Sequence, residues 1–163
     1  MQTLELDSTQ ASAHPFPVAC NIHLEFVAGG LLVDIVSCSA SSRYNADFDC
    51  LKAFDGNFGT AWATSGEGSG SWIKAEFGKT VSVNGFEYQN RAANEANKDV
   101  TLSFSQGSAQ MFTLTQSTLA SYTLSPAQKT TFVTITINTD YTSLHQSTMV
   151  PLKLLSPQGN YAL

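Results

Sequence analysis

From Val133 to Ile137 the chain reads Val-Thr-Ile-Thr-Ile, apolar and polar residues in strict alternation. A period of two sends successive side chains to opposite faces of an extended strand, so this segment specifies a sheet with one buried face. The pattern recurs at Asn21–Phe26, where Ile22, Leu24 and Phe26 share a face, and at Trp72-Ile73-Lys74-Ala75-Glu76-Phe77. Leu31–Val36 reads as the return strand of a hairpin turned by Ala28-Gly29-Gly30. Further strands are expected around Val81 and Val83, around Phe86 and Tyr88 after a turn or bulge at Asn84-Gly85, and at Val100, Leu102 and Phe104. Phe112 and Leu114, Tyr122 and Leu124, and Leu152 and Leu154 complete the set. No segment carries an amphipathic helical period. Roughly eight or nine short strands with turn signals about every ten residues predict an all-β jelly-roll sandwich.

At 163 residues the chain is one domain, long enough to bury a core. Only 13% of its residues are charged, against 42% hydrophobic, so its surface is polar rather than ionic. The net charge of −5 disfavours nucleic acid and anionic membranes as partners and suits neutral ligands. Residues 1–36 read as an extended arm, punctuated by Pro15 and Pro17, and a hairpin packed on a sandwich formed by 37–163. The start, MQTLELDSTQ, has neither the basic nor the apolar region of a signal peptide, so the sequence leaves the compartment open. Cys38 and Cys50 flank the loop SASSRYNADFD and would close it as a disulfide in an oxidising compartment, leaving Cys20 free. The alternative is three buried thiols packed as small hydrophobes.

The stretch from Cys50 to Phe77 combines an Asp-Gly turn, two tryptophans and a glycine-serine loop ahead of a strand. Gly56 accepts a positive φ while the Asp55 carboxylate folds back on local backbone. A polar turn pinned between aromatics suits a hard cation such as calcium, which takes six to eight oxygens, many of them main-chain. It equally suits a sandwich corner in which Asp55 only caps its own turn. Trp62 and Trp72 are expected in the core. Catalysis has no support: His14, His23 and His145 lie in unrelated settings, and no serine stands in a GxSxG elbow. The Cys and His spacings match no zinc site, and GEGSG lacks the Lys-Ser/Thr of a phosphate loop.

The segments AFDGNFGTAWAT, SWIKAEFGKTVSVNGFEY and DVTLSFSQGS, in this order, resemble the discoidin or coagulation-factor 5/8 type C domain, a galactose-binding-like sandwich. The similarity runs from about Ser37 to Leu155. It implies a calcium site with Asp55 as side-chain ligand, Lys52 and Asn57 by carbonyl, and Thr60 by carbonyl and hydroxyl. The last strand, VPLKLL, has Pro151 or a neighbour where the family places an acid. The resemblance also implies a sugar-binding end. Arg91 and Lys98 keep the spacing of the family's fucose lectins, although Ala93 replaces their Asp.

Asn90 and the aromatics Tyr44, Phe48 and Phe58 complete the candidate ligand set, with donors for hydroxyls and a face for the ring. A purely structural role is the alternative for Arg91, paired with Glu95 or Asp99. The expected function is therefore a non-catalytic module that recognises a carbohydrate or glycoconjugate, and the family resemblance implies an extracellular or cell-surface setting. The alternative is a protein–protein adaptor in a larger assembly. Phospholipid binding is disfavoured by the acidic charge.

Overall fold

The computed structural model describes residues 23–28, 31–90, 96–116 and 119–141. The strands are β1 (His23–Ala28), β2 (Leu31–Leu32), β3 (Ser37–Ala40), β4 (Trp72–Gln89), β5 (Asn97–Phe104), β6 (Gln110–Thr113) and β7 (Leu119–Asp140). Their order is β2-β1-β4-β7-β5-β6, with β3 paired to β4, and every pairing is antiparallel. Among the described residues, helix is confined to two 3-10 segments, Ala46–Phe48 and Cys50–Ala53.

Two long strands make two layers from this one ladder. β4 has 18 residues and β7 has 22, and their shared register shifts between Glu76 and Val81 and again between Val83 and Gly85. Before the first shift, Trp72–Glu76 pairs with Phe132–Thr136; after it, Val81–Gln89 pairs with Leu119–Thr130. Extra residues in a ladder bend it, and here β4 and β7 bend together, so their halves face one another. Contacts across the interior show the stacking: Phe112 of β6 meets Phe86 of β4 edge-on at 5.0 Å. Phe112 also meets Tyr122 of β7 edge-on at 6.1 Å, and Phe86 and Tyr122, partners in the ladder, stack at 4.9 Å.

The expected alternation holds where the strand is regular. Val133, Ile135 and Ile137 are buried, while Thr134 and Thr136 are half-buried. The register shifts at Asn84-Gly85, where the dipeptide signals a turn or bulge, with Asn84 opposite four residues of β7, and Val83, Phe86 and Tyr88 are all buried across the shift. A Cβ on Gly85 would stand 2.8 Å from the Tyr122 carbonyl oxygen, so only glycine permits this approach.

Several boundaries differ from the sequence expectation. The two strands expected over Trp72–Tyr88 are one, as are those around Tyr122 and Val133, because a bend stays hydrogen-bonded to a partner that bends with it. The described residues thus hold seven strands. The return strand expected at Leu31–Val36 is paired only at Leu31–Leu32, and Ser37–Ala40, expected as loop, is strand β3 against Ile73–Glu76. The expected hairpin is a member of the sheet, since His23–Val27 pairs residue by residue with Gly85–Gln89. The arm, Cys20 and the strand expected at Leu152–Leu154 lie outside the described residues. Circular dichroism should show a β-dominated spectrum; a helix content above roughly a quarter would contradict this architecture.

Candidate functional site

Because β4 and β7 double back, both ends of each lie at one end of the sandwich. Hydrogen bonds there tie loops distant in sequence. Gly70 N–H donates to the Ile137 carbonyl at 2.7 Å, Tyr141 N–H to Ala96 at 2.9 Å, and Ser41 N–H to Trp72 at 2.9 Å. The Asn90 amide donates to the carbonyls of Asn97 and Thr115 at 2.6 and 2.9 Å. Segments 41–49, 65–71, 96–97 and 115–116, together with Asn90, therefore share this end.

The loop from Ser41 to Asp49 is the most constrained of them. Asn45 Oδ1 accepts from Asp47 N–H at 2.8 Å, and Asp49 Oδ1 from Leu51 N–H at 3.3 Å, each capping a 3-10 segment. A Cys38–Cys50 disulfide closes the loop, with Cα atoms 6.0 Å apart, so the pairing open from sequence is made. From below, buried Trp62 donates its indole N–H to the Ser42 carbonyl at 2.9 Å. Trp62 is a core residue as expected, whereas Trp72 is only half-buried. Ser41 Oγ donates to Glu67, joining this loop to the glycine-rich one.

Arg43 donates to Asp49 Oδ2 at 2.7 Å. That hydrogen bond, then the bond from Leu51 N–H, holds the Asp49 carboxyl below the usual carboxylate range. Beside the pair is an open depression of about 390 Å³, lined by Ser39, Ala40, Ser42, Arg43, Asp49 and the disulfide. Tyr44 is 44% exposed and meets half-buried Phe48 edge-on at 5.8 Å. Phe58, 51% exposed, stands on the neighbouring Asp-Gly turn.

Of the residues expected around Arg91, the structure corrects one. Asn90 is 4% exposed, its amide donates to two carbonyls, and its oxygen accepts from Asn97 N–H at 2.9 Å. It is a buried pin holding the base of its loop, not a surface ligand contact. Lys98 is partly exposed, with its ammonium 4.0 Å from Asp99. The Asp99 carboxylate accepts from Thr139 at 2.6 Å and from Thr113 at 2.7 Å, and these bonds keep its pKa low. Arg91, Ala93 and Glu95 lie outside the described residues. Asp49 and Glu67 were not singled out from sequence; only the flanking cysteines hinted that this loop is held in shape.

The Asp-Gly turn brings its expected residues together. Asp55 Oδ1 accepts from Asn57 N–H at 3.0 Å, Asn57 Oδ1 accepts from Gly59 N–H at 2.9 Å, and Gly56 has φ 71°. Thr60 Oγ1 lies 2.7 and 2.8 Å from the two Asp55 oxygens, 2.9 Å from the Asn57 carbonyl and 3.5 Å from the Lys52 carbonyl. One hydroxyl proton cannot satisfy all of these, so oxygens from four residues crowd one point. That donor set fits a hard cation, although it holds a single carboxylate and the Lys52 ammonium stands 3.8 Å from it. The other clustered group, Cys38, Asp49 and Cys50, has both sulfurs in the disulfide.

A bent two-layer antiparallel sandwich with its long loops gathered at one end defines a galactose-binding-like fold. The F5/8 type C domain model matches residues 37–149, and the chain belongs to that family. No individual curated protein sequence matches it. Among solved structures, a chitosan-binding module from a chitosanase/glucanase of Paenibacillus sp. IK-5 is similar, with TM-score 0.54 and 22% identity. That match covers 72% of this chain and 89% of the module. The family 32 carbohydrate-binding module of C. perfringens NanJ, solved with galactose, is similar with TM-score 0.52 and 16% identity, covering 64% and 82%. At these identities the likeness shows the fold.

Proposed function

We propose that this domain is a non-catalytic carbohydrate-binding module whose ligand sits at the loop end. The observation that carries this reading is the restrained loop from Ser41 to Asp49. It offers a fixed charged pair beside an open depression, and an exposed tyrosine, Tyr44, next along the same loop. Sugar recognition asks for an apolar ring face and a few fixed polar groups. Holding them before binding lowers the ordering cost of association. The disulfide supports an oxidising compartment for the domain.

Arg91, next in sequence to Asn90, extends this site in the proposal, with Lys98 as a second donor. Arg91→Ala should abolish retention on a glycan array, a loss of about 1–3 kcal/mol, while leaving the melting temperature nearly unchanged. A variant that melts early, or that retains glycan normally, would remove Arg91 from the site. Failure of the wild type to retain any glycan would favour the protein-adaptor reading.

Calcium at the Asp-Gly turn belongs to the same proposal. Asp55, Thr60 and the Lys52 and Asn57 carbonyls would hold the ion, and the ion would supply rigidity to the turn. Calcium at about a hundred times its dissociation constant should raise stability by about 2.7 kcal/mol. Calorimetry in millimolar calcium and then in chelator checks this, and superimposable melts would reject the ion. Asp55→Ala should lower the melting temperature in both conditions, because the carboxylate also caps the turn.

A further inference from the structure

The Arg43–Asp49 pair suggests which sugars the depression accepts. Its two charges are 2.7 Å apart and cancel, leaving guanidinium donors beside a carboxylate acceptor. Asp49 is further fixed through its other oxygen by the Leu51 N–H, and Arg43 has 59% of its side chain exposed. The Ser39 and Ser42 residues line the same hollow, and the disulfide forms part of its wall. Two adjacent hydroxyls on a pyranose each donate and accept, so a vicinal diol can accept from Arg43 while donating to Asp49. A uronate would compete for Arg43 and strand Asp49, and an amino sugar would do the reverse. Either sets its own charge against the existing 2.7 Å pair, and because that pair cancels, the hollow offers no net charge to offset the competition.

We infer that the depression bounded by the Cys38–Cys50 bridge is a subsite for an uncharged pyranose, read through a vicinal diol by Arg43 and Asp49 together. The inference rests on the carbohydrate-binding reading above and narrows it to a ligand class. The hollow, about 390 Å³, is large enough for one ring.

Saturation-transfer NMR titrations of the oxidised wild type with methyl glucoside, galactoside and mannoside test it, with glucosamine and glucuronate as charged comparators. At least one neutral hexoside should bind saturably, and both comparators at least tenfold more weakly. Asp49→Asn keeps an acceptor for the Leu51 N–H yet should weaken the neutral hexoside at least tenfold. Arg43→Gln should do the same, and the double variant should be little worse than either, because the pair acts as one unit. Thermal melts and thiol counts establish that each variant is folded with its bridge intact. Should the single variants bind like wild type while Arg91→Ala does not, the subsite is wrong and the carbohydrate reading survives. Comparators that bind as tightly as the neutral sugars would overturn the ligand class. If no hexoside and no array glycan binds the wild type, both proposals fail.

Discussion

Trp62→Ala is expected to destabilise the domain by about 3–5 kcal/mol, the range for removing a fully buried large aromatic. The side chain is 0% exposed, so truncation opens a cavity the surrounding strands cannot fill. It also orphans the Ser42 carbonyl, which accepts the indole N–H at 2.9 Å. The backbone beside Trp62 is tied to the same loop, with Tyr44 N–H donating to the Ala63 carbonyl at 2.8 Å. The damage therefore spreads from the core to the proposed binding loop. In a domain of this size the melting temperature should fall by about 6–20 °C. Trp62→Phe helps to separate the two contributions, since it keeps much of the apolar area while removing the donor. Equilibrium denaturation measures both, and a cost below about 1 kcal/mol for Trp62→Ala would show that the indole is not a keystone of this end.

Removal of the Cys38–Cys50 bridge is the second large expected effect. The two cysteines are 12 residues apart in sequence, and closing a loop of that order stabilises by about 3 kcal/mol through the unfolded chain. Cys38→Ala with Cys50→Ala should thus lower the melting temperature by about 6–12 °C. The consequence for binding should exceed the loss of stability, because the bridge borders the depression and anchors β3 to the segment that Asp49 caps. In unfolded, unreduced protein, thiol counting should find one reactive group, Cys20. Three reactive thiols would rule the bridge out, and an unchanged melt in the double variant would show that other contacts hold the loop.

The parts of this protein legible in its sequence are those whose cause is local. Val133–Ile137 announces a half-buried strand because the pleat alone assigns its faces. Asn84-Gly85 announces a turn or bulge, and Asp55 to Thr60 a self-capped turn, because the partners lie within a few residues. Cysteine spacing made the bridge possible without deciding it. The remainder depended on partners far along the chain. Ser37–Ala40 has little strand character of its own and pairs because β4 offers an edge. The residues between Phe77 and Val81 read as a break, yet β4 runs through them, since β7 bends alongside.

Asn90 looked like a ligand contact because a polar residue in a loop ordinarily faces water. Only folding brings Asn97 and Thr115 to it and buries it. Arg43 and Asp49 are ordinary surface charges until the disulfide and the Trp62 hydrogen bond fix their loop. Periodicity and turn chemistry act over a few residues and so can be read from a string. Which loops share an end, and which polar groups lose access to water, follow from long-range pairing, and the doubled-back β4 and β7 decided both.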